Sequence, residues 1–356
     1  MSFSIIVRPT AWMLEKLRYG PKFFLLGTLL LTPVFVLGFL QWRAETYQFN
    51  FNNKESFGVE YIKPVAKLMH ATHRYRIATL GTLTGDAQSA AVASKERGEV
   101  DAAITLVDQV DKQYGDDDAL TGLKTSNRWK QIRSGWDTIK ATKYRTLEEA
   151  NAALDGLTGM MFKLVLDDAC NYSNLILDPD LDSYYLMDAF CIKLPSLSES
   201  IADQAAIGMQ AVRDQDLSES TRVDLAGLYK NAVSTAGDLI SLNAETIYKE
   251  TKDASVQPAL EPVFNDTLAK INAYGGTVRT GLLDQLAGPT TRTVSNSSLT
   301  ALEAVHKLYD AVAPQLDKLI QTRAIERYYN PRTTGLLAVV GAVLLMSYLF
   351  FALFYS

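Results

Sequence analysis

Two stretches of the chain carry no charge at all. Phe23 to Trp42 and Thr333 to Ser356 are predominantly apolar, and each is long enough to cross a hydrocarbon core of about 30 Å as a helix of about 20 residues. Between them the pattern changes. Apolar residues recur at helical spacing, as in Ile62, Val65, Leu68 and Met69, or Leu154, Leu157, Met161, Leu164 and Val165. Sustained period-two alternation is missing, so strands are not expected.

Punctuation divides this middle region into helices. Gly81 to Asp86 ends a helix that runs on from the first apolar stretch, and Gly115-Asp116-Asp117-Asp118 ends a second. Thr146-Leu147-Glu148-Glu149 is a capping box opening a helix towards Leu177. Asp178-Pro179-Asp180 predicts a turn, with Asp182 or Ser183 capping the next helix. Arg213 to Asp216 breaks the pattern again, and Ser218-Glu219 starts a helix towards Lys252. Ser255 to Gly288 predicts another, closed by Gly288-Pro289, and a last helix runs from Asn296 into the second apolar stretch with Pro314 as a kink. About eight helices with short connections favour up-and-down bundles. The expected fold is all-α: two spanning helices flanking a helical region of two four-helix bundles. Trp129 and Trp136, seven apart, fit a bundle seam better than a binding cage.

Composition alone would hide this division, because 47% hydrophobic residues and a mean hydropathy of −0.01 resemble a soluble protein. Charge sharpens it. Residues 1–22 hold Arg8, Lys16, Arg18 and Lys22 against Glu15, a balance of +3; the whole chain is −5 and nothing after Arg332 is charged, so residues 43–332 carry −8. Basic flanks stay cytoplasmic. The expected layout is therefore a cytoplasmic segment 1–22, a span 23–42, an exported region 43–332 and a returning span 333–356. Ile5 to Tyr19 suits an interfacial helix on anionic lipid. The run is too long for a signal peptide's apolar core, and Gly38 to Arg43 offers no small-x-small cleavage site, which predicts an uncleaved anchor. An acidic region without a basic run argues against a nucleic-acid partner.

Candidate chemistry is sparse. His70 and His73 share a helix face, but no H-E-x-x-H pattern accompanies them, and a packed or surface role outweighs a metal pair. Phosphate loops, nucleophile elbows and Cys-His patterns are missing from the sequence, so neither an enzyme nor a cofactor is expected. Asp178, Asp180 and Asp182 imitate the start of a calcium loop, but Ser183 stands where that loop needs Gly and Ala189 where it needs Glu. Cys170 and Cys191 flank the Pro179 turn, open to a bridge or to burial as two small apolar side chains.

Gly58 to Pro64, His73-Arg74, the long block Ser173 to Asp188 and Leu194-Pro195 together resemble the helical periplasmic input region of bacterial receptors of the methyl-accepting chemotaxis class. Related diguanylate cyclases and histidine kinases carry such a region too. The order of span, bundle and span matches, so the likeness extends over nearly the whole chain. His73-Arg74 with Arg97 and Asp101 is more loosely similar to the nitrate- and nitrite-sensing helical domain. The resemblance implies a sensor in the bacterial inner membrane, N-terminus cytoplasmic, working as a homodimer and touching membrane lipid. Such receptors continue into a linker and an output domain that contacts cytoplasmic signalling proteins, whereas this sequence stops at Ser356.

For a ligand, a small molecule or anion between helices would need an arginine and a few polar groups. The candidates are Arg74, Arg76 and His73 on the first long helix, with Asn174, Tyr184 and Tyr185 from the long block. Against this, Arg74 could pair Asp178, Asp180 or Asp182, and the tyrosines could be core residues. Asp178, Pro179, Asp180 and Asp182 read as turn and cap. A second class of function, a membrane-anchored scaffold, needs no pocket.

Overall fold

A computed structural model describes residues 16–215, 218–230, 236–284, 288 and 290–355. The expected interfacial helix Ile5 to Tyr19 lies mainly outside these residues, as does Pro289 of the expected Gly288-Pro289 stop, whereas the break expected from Arg213 to Asp216 is met by a helix that ends at Asp214 before a left-handed Gln215. Among the described residues the chain is helical and contains no strand.

The elements are α1 (Tyr19–Leu83), α2 (Ala87–Tyr114), α3 (Ser126–Ala141), α4 (Leu147–Lys163), α5 (Leu181–Asp188), α6 (Leu194–Asp214), α7 (Glu219–Tyr229), α8 (Ala236–Glu250), α9 (Val256–Gly276), α10 (Thr291–Arg323) and α11 (Asn330–Tyr355). Among the described residues, wider, π-helical turns come after α4, α5, α9 and α10, at Leu164–Cys170, Ala189–Lys193, Thr277–Leu283 and Ala324–Tyr329. Two compact units result: residues 1–51 with 322–356, and residues 52–321.

The first unit holds the apolar stretches. Two helices are long and apolar enough to cross a membrane, and the apolar windows within them are not buried by protein. A Cβ on Gly38 would sit 2.9 Å from Val339, so glycine lets the two apolar segments approach closely. The hydroxyls of Thr28 and Thr32 donate to the carbonyls of Phe24 and Thr28, which satisfies them without water. Arg332 lies over the rings of Phe49 and Tyr329, 5.1 Å from each centroid, at the end of its apolar run.

Residues 52–321 form the second unit around one contiguous core. Every apolar position of the two stripes quoted above is buried, as are Trp129 and Trp136. The tryptophans also anchor α3 to α2, since their indole N–H groups donate to Asp108 and Asp101 at 2.9 and 2.7 Å. Gly85 takes a φ of 88° in the turn between α1 and α2, a conformation open to glycine. The cap at Thr146 forms as expected: its hydroxyl oxygen accepts from the Glu149 N–H, while the Glu149 carboxylate accepts from Arg145 N–H.

At the long block the capping differs in detail. Asp178, rather than Asp182 or Ser183, organises the start of α5: its carboxylate accepts from Asp180 N–H and from the Ser183 hydroxyl. Pro179 and Asp180 form the turn between, and Asp182 accepts from Ser183 N–H. Gly58 of α1 presses on Ser173, where any side chain at position 58 would collide. That contact seats the block against one end of the α1 stretch in this unit.

Candidate functional site

About two turns of α1, His70 to Arg76, carry two polar arrangements. With 3.6 residues per turn, His73 and Arg76 share one face, whereas His70 and Arg74 share another. Each face meets different helices.

Arg76 is buried, with 1% of its side chain exposed, and all its directions are used. Its Nε donates to Asn151 of α4 at 2.8 Å; its two terminal nitrogens donate to Glu199 and Asp203 of α6 at 2.8 and 2.6 Å. Asp155 lies 3.4 Å away. His73 reaches the other Glu199 oxygen at 2.9 Å, and the Thr158 hydroxyl donates to Glu199 at 3.1 Å. Burial opposes the charge of Glu199, but His73 and Arg76 overcome it and hold the carboxyl at about 2. Asp155 goes the other way: desolvation, with the neighbouring acids, outweighs Arg76 and raises it. Asp155, Glu199 and Asp203 offer oxygens within 4.8 Å of one another, a geometry that could take a cation, and Arg76 already supplies the positive charge there. Arg76 is a structural cation rather than an open anion donor.

The second face opens outwards. Arg74 donates to Glu96 of α2 at 2.9 Å and to Glu303 of α10 at 3.4 Å. This replaces any pairing with the aspartates of the long block. His70 lies 3.4 Å from Glu303 and stacks on His306, with centroids 4.1 Å apart and planes 7° from parallel. Burial pushes His70 down to about 4 despite the Glu303 hydrogen bond, and lowers His306 as well; the His70 contact and Arg74 keep Glu303 at about 2. Both imidazoles are therefore neutral near pH 7. Parallel stacked rings cannot aim in-plane lone pairs at one ion, so this pair is no metal chelate as it stands.

Beside Arg74 runs an open groove of about 470 Å³ between α1, α9 and α10. Arg74, Lys270 and Lys307 line it with Asn296 and Thr300, against Asp266 and Glu303. Three cations face two acids in the lining, with Glu96 a third acid held on Arg74 from outside it, and the amide and hydroxyl add donors for a small anion. A smaller cavity of about 180 Å³ shares Asn151 with the Arg76 network and is otherwise mainly apolar.

The remaining candidates lie elsewhere. Asn174, in left-handed conformation at φ 68°, comes directly after Ser173, which faces Gly58. Arg74 is sixteen positions further along the same helix, about 24 Å at 1.5 Å per residue. Tyr184 and Tyr185 pack edge-to-face on each other at 5.6 Å and line neither the groove nor the Arg76 network. Arg97 is exposed on α2, and Asp101 is taken up by Trp136 and Lys140. Sequence reasoning missed Glu199, Asp203, Lys270, Glu303 and Lys307. The local signals they left were weak: Glu199 and Asp203 are two acids four apart on α6, and Glu303/Lys307 is an ordinary acid–base pair at the same spacing.

No family model matches the sequence, and no curated protein matches it. Among solved structures, the NasR transcription antiterminator is similar, with a TM-score of 0.56 and 14% identity over 87% of this chain and 82% of that one. That likeness corrects one expectation. The acidic balance argues against a nucleic-acid partner on charge alone, yet a transcription antiterminator shares the fold, which overturns that exclusion. The chain shares its helical fold with that regulator, and at this identity the likeness shows the fold alone.

Proposed function

We propose that the chain is the sensory input module of a chemoreceptor-like protein of the bacterial inner membrane, with residues 43–332 periplasmic. A small oxyanion enters the groove of Arg74, Lys270 and Lys307, and its arrival is relayed as a helix displacement across the membrane. The observation that carries this reading is the position of Arg74. It stands on α1, the helix that contains the first apolar stretch, and its weaker partner Glu303 stands on α10, which leads in sequence to the second. An anion beside Arg74 competes with Glu303 for the guanidinium and so alters the tie between α1 and α10. The resemblance of the long block to chemotaxis receptors supports the same reading, and the groove gives it a place for the ligand.

The test is a thermal-shift titration of the full chain in detergent micelles with nitrate, nitrite, sulfate and phosphate. A ligand specific for the folded state stabilises by about 2.7 kcal/mol at a hundredfold excess over Kd. A saturable shift with at least one oxyanion, lost in Arg74→Ala and in Lys307→Ala, is expected. No shift with any of them, or a shift that survives both substitutions, contradicts the reading. A second reading, regulation through a transcript, rests on the fold shared with a transcription antiterminator. Salt-dependent retention of RNA by the full chain, without any oxyanion response, would favour it.

A further inference from the structure

Cys170 closes the π-helical turn Leu164–Cys170, and Cys191 lies in the middle of the turn Ala189–Lys193. The two turns pack against each other. Both side chains are completely buried, and Cys170 is the neighbour that, after burial itself, does most to raise the Cys191 thiol. Two cysteines that served only as small apolar filler could occupy any part of this extensive core. These two, which are all the cysteines of the chain, stand on two turns that pack against each other, and their thiols interact.

Their place in the fold gives the contact a consequence. The chain between them contains the whole Ser173–Asp188 block, with its left-handed Asn174 and its Asp178-centred turn. Next to Cys191, Phe190 packs edge-to-face on Tyr309 of α10 at 5.4 Å. A bond between the sulfurs would close this block into a covalent loop at the point where it leans on α10.

We propose that Cys170 and Cys191 are a redox pair that forms an intrachain disulfide with a disulfide-bearing oxidant, either a small disulfide such as oxidised glutathione or a thiol–disulfide oxidoreductase. One cysteine thiolate attacks a sulfur of the oxidant, expelling the oxidant's first thiolate. The second cysteine then attacks the protein sulfur of this mixed disulfide and expels the other thiolate. Two thiol protons and two electrons leave the protein, and the oxidant's disulfide becomes two thiols. Burial raises the Cys191 thiol well above its ordinary value, so the folded, reduced pair reacts slowly, and bridging belongs to the folding chain or to local opening. The inference does not depend on the sensor reading, since it concerns no ligand.

The experiment uses the full chain in detergent micelles, reduced, unfolded in denaturant and refolded in a buffer of reduced and oxidised glutathione. Remaining thiols are then blocked with a maleimide under denaturing conditions, and non-reduced peptides are weighed by mass spectrometry. The expected result is a linked peptide pair containing Cys170 and Cys191, two hydrogens lighter than its parts and separated by reductant. A Cys170→Ser chain should yield Cys191 unlinked to any other peptide of the protein. Wild-type chains that regain their helical circular dichroism with both cysteines maleimide-blocked, or carrying only glutathione, overturn the proposal.

Discussion

Arg76 donates to Glu199 at 2.8 Å and closes the space between α1 and α6, two helices separated by more than a hundred residues of sequence. Removing one partner of such a pair leaves buried charge uncompensated. Arg76→Ala should therefore cost about 2–4 kcal/mol, below the upper range for buried pairs because Glu199 and Asp203 retain some solvent contact. Arg74→Ala should cost a similar amount, about 2–4 kcal/mol, because it leaves the buried Glu96 carboxylate unpaired even though Glu303 is half exposed. Urea unfolding of the two variants gives the comparison.

Asp155→Asn should behave in the opposite way. Three carboxylates surround one guanidinium, and Asp155 is the one whose charge the site disfavours. Neutralising it should leave stability unchanged or raise it by about 0.5–1 kcal/mol at pH 7, whereas Asp203→Asn should destabilise. The two asparagine variants, compared by urea midpoint, separate these effects.

Acidification should weaken the fold in two stages. His70 is lowered to about 4 from an ordinary 6.5, so the stability its neutral form gives is complete above pH 6.5 and is lost as pH falls towards 4. Its size is on the order of 2–3 kcal/mol. Lys67, Arg74 and His306 around this site add positive charge when His70 takes a proton, while Glu303 partly offsets them. A second loss comes between about pH 4.5 and 2 as Glu199 and Glu303 are protonated. Asp155, raised instead, contributes with the opposite sign. Between pH 6.5 and 4 the melting temperature of wild type should fall more steeply than that of His70→Phe, because the variant lacks the first loss.

Gly58→Ala should destabilise by about 1–3 kcal/mol, because the new methyl group runs into the Ser173 side chain. Ser173→Gly in the same chain should recover part of that loss by vacating the space. Recovery measured in a double-mutant cycle would confirm that the long block is seated by this contact.

The sequence was most readable where a local rule decides the outcome. Thr146 and Glu149 cap α4 because a four-residue spacing fixes which N–H groups are reachable, and the apolar stripes of α1 and α4 are buried because helical periodicity sets their faces. The π-helical turns escaped notice, since one extra residue per turn leaves the apolar pattern nearly intact. The groove escaped too. Arg74, Lys270 and Lys307 come from three separate helices, and no spacing within one segment records their meeting. Asn174, Tyr184 and Tyr185 belong with Arg74 only if the long block packs beside it, yet Ser173 packs on Gly58, sixteen residues from Arg74 along α1, and neither tyrosine lines the groove.

A sensor of the proposed kind must move its membrane segments when an anion occupies the groove beside Arg74. Spin labels at Gln41→Cys and Thr334→Cys, with Cys170 and Cys191 replaced by serine, would report the separation of the two apolar segments in nanodiscs. A saturating amount of an oxyanion that gives the thermal shift (nitrate, nitrite, sulfate or phosphate) should displace the distance distribution by about 1–2 Å, and Arg74→Ala should abolish the change. An unchanged distribution at oxyanion concentrations that saturate the thermal shift would contradict the proposed relay.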